Sequence, residues 1–402
     1  MEITIVILLA IILVAFKAFH LGDLFAPWFL TTGIWFLILF LFLFAGKTLY
    51  PIKDQFYNCL YLWVPIFCFS SLITYYVFPQ KEGNRVKDTI TINHSLFNGL
   101  LILLTIIAPL YLYNILKIVM SYNIADLLYN MRIYNIEGEK NFGILNYTII
   151  IGQVLLVIGL WMYPKITKTE LSIIILANLI NAFAIMGKTP ILFIITTLVF
   201  VFYEKGYIKA RSILMSAIPL FTFFFIFTNA RTEQSSTVDN SMTLLEFMGM
   251  YVLSPPVAFG YITENTNTQF GFSTFSAFYH FLNNWGFGPF DINPGIQEFV
   301  FVPVPTNVYT IFQPFFEDFG YKGVAFFAFI YGTITGFLYR MSNNGNSIAK
   351  CIYTYFVTNL ILQFFQENII LSIIATLEFI GLIIICTQNS IYFKWARHDK
   401  QP

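Results

Sequence analysis

The sequence predicts an all-α, polytopic membrane protein of about eleven transmembrane helices, with a long extracytoplasmic loop that contains short amphipathic helices. Three observations predict it. Apolar residues fill 57% of 402 positions and charged residues 11%, with a mean hydropathy of +0.72, whereas soluble domains carry about 25% charge. The apolar residues recur in runs of about 20, the length of helix that crosses roughly 30 Å of hydrocarbon. One stretch, 229–320, breaks this rhythm, and its single Lys or Arg is Arg231. The net charge of +1 argues against the basic face of a nucleic-acid binder. Cys59, Cys68, Cys351 and Cys386 lie in or at the ends of apolar segments without metal-ligand spacing, which reads as packing.

In chain order, spans are predicted at 3–19, 27–45, 56–78, 95–118, 143–163, 170–186, 190–203, 212–228, 321–339, 351–366 and 369–388. The first lacks a basic leading region and a small-x-small cleavage site, so it reads as a span rather than a signal peptide. Gly187-Lys188-Thr189-Pro190 separates the sixth span from the seventh. Gly187 suits a helix end there, and Pro190 suits the first turn of a new helix. The spans divide the chain into helices one to eight (1–228), the loop (229–320), and helices nine to eleven with the tail (321–402).

Orientation follows from Lys and Arg in short loops. Lys394, Arg397 and Lys400 mark the C-terminal tail as cytoplasmic. Arg340 with Lys350, Lys205 with Lys209 and Arg211, Lys165 with Lys168, and Lys81 with Arg85 and Lys87 continue the alternation. Segment 119–142 must then lie outside although it carries Arg132 and Lys140. Loop 229–320 is acidic, aromatic and Pro-rich, too apolar for disorder, and 244–262 is a candidate shallow re-entrant element.

Candidate functional residues cluster in and beside that loop. Arg231 ends an apolar run at headgroup level, where a guanidinium can grip phosphate in bidentate fashion; snorkelling, or pairing with Glu233, is the bland alternative. Lys188 is a second cation on the outer side, equally readable as an interfacial lysine. His280 suits a general base, and equally a structural histidine among aromatics. Thr306, Asn307 and Tyr309 lead to Glu317 and Asp318, polar groups and carboxylates suited to sugar hydroxyls, or to a cap and an acidic turn. Glu378, mid-span, is either functional or hydrogen-bonded to Asn359 or Gln363. The chain has no P-loop, no His-Glu-x-x-His and no nucleotide-binding fingerprint, and its inside loops are short.

A cation in a turn between two short spans, an arginine ending a later span, a long outer loop, then Pro-Thr-Asn-Val-Tyr-Thr (305–310) and Asp-Phe-Gly-Tyr-Lys-Gly (318–323): this layout resembles the Wzy-type oligosaccharide repeat-unit polymerases, the O-antigen and capsule polymerases. The residue-level likeness covers 229–231 and 305–323; many members carry arginine where this chain has Lys188. The resemblance implies a GT-C-like glycosyltransferase, similar to O-antigen ligases, in the bacterial cytoplasmic (inner) membrane. A growing glycan would leave undecaprenyl diphosphate and join a new lipid-linked repeat unit at the outer face. Arg231 and Lys188 would stabilise the leaving diphosphate, His280, Glu317 or Asp318 would take the acceptor proton, and aromatics near Tyr279, Trp285 and Tyr309 would hold sugars. No cofactor or metal is implied. The implied partners are undecaprenyl-diphosphate-linked oligosaccharides and the lipid bilayer, with room for a chain-length regulator protein. The rival class is a transporter or flippase of lipid-linked oligosaccharide, which would more often show several buried charges and short loops on both faces.

Overall fold

The computed structural model describes residues 2–46, 49–79, 90–121, 126–137, 142–213, 244–264, 267–293, 297–303 and 305–387. The predicted span 212–228 lies almost wholly outside the described residues, and Arg231 and Glu233 are outside them too.

The apolar runs become helices with readable ends. α1 (Glu2–Ala18), α2 (Pro27–Ala45), α3 (Asp54–Val77) and α4 (His94–Val119) alternate in direction through the bundle. Pro27 opens α2, where the missing N–H costs nothing, and the Asn93 side chain caps α4 by accepting Leu96 N–H at 3.2 Å. A short helix, α5 (Leu127–Glu137), packs beside the end of α4 before α6 (Thr148–Met162) enters through a 3₁₀ turn, Gly143–Tyr147. α7 (Lys168–Ile185) starts with a capping box between Thr167 and Glu170. α8 (Lys188–Glu204) follows after two residues.

That turn departs from expectation in one detail. Met186, not Gly187, takes the left-handed conformation (φ 50°, ψ 34°), while Gly187 is extended and precedes the first residue of α8. The chain then resumes with α9 (Leu244–Phe259), α10 (Ser276–Asn284), a two-residue β-hairpin (Val300–Phe301 with Pro305–Thr306), α11 (Gln313–Asn343), α12 (Ser347–Ile361) and α13 (Ile373–Thr387). Among the described residues, six segments are long and apolar enough to cross a membrane: Pro27–Phe44, Asp54–Val77, His94–Val119, Gly143–Met162, Lys168–Ile185 and Gln313–Asn343.

Side chains tie the helix ends into two layers. At one end, Tyr339 donates its hydroxyl to Asp23, Arg340 Nε donates to Phe78 O (2.9 Å) and Thr91 N–H donates to Ser347 Oγ (3.0 Å). Asn93 N–H reaches Cys386 O at 2.8 Å, and Lys205 Nζ reaches Trp161 O at 2.8 Å. This is the basic end. The opposite end carries α5, α9, α10 and the hairpin, and is the loop end.

The core lies between α3 and α11, which run parallel in close contact. A Cβ on Gly332 would overlap the Ser70 hydroxyl and the Phe67 carbonyl, and one on Gly336 would overlap the Ser71 carbonyl. Where lipid removes the hydrophobic drive between helices, such backbone proximity supplies the dispersion contact. Trp35, Trp63, Phe56, Phe312 and Phe315 interlock above it, each fully buried.

α11 is two helices. Gly320 (φ 59°, ψ −150°) breaks it in a region essentially confined to glycine. Phe315 stacks on Phe327 at 4.1 Å, although twelve residues of straight helix would separate them by about 18 Å. The arm 313–319 therefore folds back along the segment that follows it. At its foot, Ile311 N–H donates to Gln363 O at 2.8 Å, so the arm dips into the bundle to meet the tip of the α12–α13 pair.

Candidate functional site

The loop end is built on that folded-back arm. Asp318 accepts the backbone N–H groups of Ser273 (3.0 Å) and Thr274 (2.6 Å), one on each carboxylate oxygen, and Thr274 Oγ1 donates to Pro314 O at 3.0 Å. These bonds fix the turn before α10. Gly271 (φ 62°) starts that turn in the left-handed region, where a side chain would also strike the Phe275 ring. Glu317, one residue earlier, takes a hydrogen bond from Gln313 Nε2 at 3.0 Å.

α10 carries His280 on an exposed face. Ser273, Ser276, His280 and Asn293 on one side, and Ser372 and Ala375 of the turn into α13 on the other, line an open pocket of about 730 Å³. Asn293 Nδ2 donates to Ser273 Oγ at 3.0 Å, and Ser276 Oγ donates to Asn293 O at 3.3 Å, so the polar wall is internally braced. Hydroxyls and amides over an apolar floor form a surface that can hold a polyol.

The other sequence-derived candidates fall around this pocket in different ways. Tyr279 is half-buried, donates to Phe270 O and packs against Phe290 at 5.1 Å. Trp285 ends α10 and is 69% exposed. Tyr309 is buried and donates to Glu298 O at 2.7 Å; burial, then the nearby Glu317 and Glu298, push its phenol up to about 12. Thr306 is buried in the hairpin, its hydroxyl accepting Val308 N–H at 3.4 Å, and Asn307 is half-buried beside it. Lys188 opens α8 at the loop end. Of these candidates, His280 lines the pocket and Asp318 braces its wall through the Ser273 and Thr274 N–H groups, while Glu317, Thr306 and Tyr309 lie outside the lining. Arg231 lies outside the described residues.

Two of the bonds expected for buried polar groups are replaced by others. Gln363 accepts Trp35 Nε1–H at 2.9 Å and donates to Leu360 O at 2.7 Å, while Asn359 donates to Tyr355 O at 2.9 Å. Neither makes the bond to Glu378 that mid-span position suggested. Sequence reasoning also passed over Lys53, which leads into α3 and lies 3.6 Å from the Tyr261 ring centroid, and Glu367, which is 2% exposed.

In the segment 244–262, α9 is buried from Val252 to Gly260, and Gln55 Nε2 donates to Ile262 O at 2.9 Å beneath it. Phe259 meets Phe56 and Phe312 edge-on.

A helical membrane protein with an open, mainly apolar pocket edged by serine, asparagine and histidine side chains at one end is the class these features define. Compared with known proteins, 148 residues of the chain are 28% identical to an Escherichia coli (strain K12) protein named "Putative O-antigen polymerase". The match covers 35% of this chain and 36% of that relative, so it spans about a third of the relative's length. No protein-family model and no solved structure matches.

Proposed function

We propose that this chain polymerises lipid-diphosphate-linked oligosaccharide repeat units into a surface polysaccharide, of O-antigen or capsule type, at the outer face of the cytoplasmic membrane. The observation that carries the reading is the open, mainly apolar pocket at the loop end, with His280 and the hydrogen-bonded Ser273, Ser276 and Asn293 on one wall. The partial likeness to the E. coli relative supports the substrate class. Sidedness rests on charge: Lys165, Lys168, Lys205, Lys209, Arg211, Arg340 and Lys350 all sit at the basic end, which we assign to the cytoplasm. The reading keeps about eleven spans, of which 212–228 lies almost wholly outside the described residues.

In this reading the acceptor hydroxyl oxygen of an incoming unit attacks the anomeric carbon of the growing glycan. A C–O bond forms, the bond to the lipid diphosphate breaks, and the diphosphate carries away the electron pair. His280 takes the acceptor proton, with Glu317 as the neighbouring carboxylate, and Arg231 and Lys188 offset the charge on the leaving diphosphate. Asp318, with both oxygens on backbone N–H groups, acts by positioning the wall. Trp285 offers an aromatic face to sugars.

Purified protein in nanodiscs, given only lipid-diphosphate-linked repeat units from the source strain, tests the proposal. A product ladder on a gel, formed without nucleotide and abolished by Arg231→Ala, supports polymerase and arginine together. A ladder that survives the substitution retains the polymerase and removes Arg231. No ladder, with units equilibrating between proteoliposome leaflets, moves the assignment to transport.

A further inference from the structure

We propose that Glu367 is a positioning residue for the pocket, holding its α13 wall in register with the α10 wall through Tyr331; the substrate assignment rests on the polymerase reading, the mechanical assignment does not. Glu367 precedes α13 and is 2% exposed. Its Oε1 accepts Ile369 N–H (2.7 Å), Ile370 N–H (3.1 Å) and the Tyr331 hydroxyl; its Oε2 accepts Ile370 N–H (3.0 Å) and Leu371 N–H (2.7 Å). Backbone donors around a helix start need acceptors, and a small surface residue such as Ser or Asn ordinarily supplies them. A carboxylate inside a membrane bundle costs several kcal/mol on insertion scales, so its use here calls for a reason that capping alone does not give.

The reason lies in what its two sides join. The N–H groups belong to the turn whose next residues, Leu371, Ser372, Ile374 and Ala375, form one wall of the pocket. Tyr331 belongs to α11 and meets Phe315 edge-on at 6.0 Å, and Phe315 sits on the same folded-back arm that carries Asp318. Asp318 in turn holds Ser273 and Thr274, at the start of the opposite wall. Both walls are therefore pinned by a buried or half-buried carboxylate to α11, one to its folded-back arm and the other to the segment after Gly320, against which Phe315 of the arm packs. Neither carboxylate has to touch substrate for the pocket width to depend on it.

The width can be read directly. Nitroxide labels on Asn284→Cys and Ser372→Cys, both exposed pocket positions, report the wall-to-wall distance by pulsed electron paramagnetic resonance in full-length protein in nanodiscs. The parent pair is expected to give one narrow distribution. Glu367→Ala broadens it, and Tyr331→Phe, which keeps every backbone bond of Glu367 and removes only the cross-tie, broadens it less. A distribution unchanged in Tyr331→Phe overturns the proposal, and does so even if Glu367→Ala fails to fold. In the polymerisation assay, Tyr331→Phe should raise KM for the lipid-linked unit with little change in kcat, and Glu367→Ala should lower kcat/KM by about 10- to 100-fold, the cost of displacing reacting groups by roughly an ångström. Broadened distances in a protein that never makes polymer leave the positioning role standing and remove the polymerase.

Discussion

The two ends of the bundle solve the same problem by opposite means. At the basic end, cations and tyrosines close directly on helix termini: Lys205 on Trp161 O, Arg340 on Phe78 O and over the Tyr75 ring, Tyr353 on Phe25 O. Charge there is spent on sealing helix ends. At the loop end the carboxylates of Asp318 and Glu367 hold irregular backbone, and between the pieces they hold a pocket stays open. Sealing tolerates sloppy geometry; an open pocket does not. The difference teaches that the conspicuous polar groups of the loop end serve placement first; on the polymerase reading, reactivity would fall to the few left facing outwards, such as the exposed His280.

The comparison can be broken most sharply at His280. His280→Ala should lower polymerisation by about 10²- to 10⁴-fold, the range for losing a general base, while the thermal midpoint stays put because the side chain is exposed. Loss of folded protein would instead make the histidine structural. Next is Asp318→Ala, which strands two backbone donors at about 1–3 kcal/mol each. Limited proteolysis should then cut within 267–293 while the bundle survives; an unchanged digest would show that the turn holds itself.

At the other end, Lys205→Met removes charge-assisted bonds of roughly 1.5–3 kcal/mol before solvent screening. It should lower the thermal midpoint by a few degrees and leave pocket distances alone. The smallest effect is expected from Tyr309→Phe, which loses one hydrogen bond, about 1 kcal/mol. Tyr309 has its ionisation pushed up to about 12 from 10, so its contribution is complete below pH 10 and lost as pH rises towards 12. The stability gap between parent and variant should be constant up to about pH 10 and close above it; a gap that persists at pH 12 would contradict the burial of the phenol.

The helical frame was legible because lipid enforces it. α2 occupies the predicted 27–45, and α3, α4, α7 and α8 begin and end within about two residues of the runs that foretold them. The folded-back arm was not legible. Span nine was read from 321, whereas α11 begins at Gln313, and nothing in Phe315-Phe316-Glu317 distinguishes an arm that doubles back from a loop. The one available sign was Gly320, since a glycine between two aromatic-rich helical stretches permits a reversal that other residues resist. Glu367 was missed for a related reason. A carboxylate between two apolar runs reads as a solvated turn, and attention went to Glu378 within the run instead. The turn is buried because α12 is short and the arm at 311–316 covers its tip.

That shortness has a consequence for the surrounding membrane. α12 is 15 residues, about 22 Å of helix beside a hydrocarbon layer of roughly 30 Å. Exposed apolar side chains such as Leu377 and Ile385 put α13 in contact with acyl chains. Hydrophobic mismatch of this size is met by local compression of the leaflets, a few ångströms of it for modest energy. On the polymerase reading, the headgroup plane sinks towards Leu371 and Ser372, and a lipid-linked diphosphate would reach the pocket by travelling along the bilayer rather than by rising out of it.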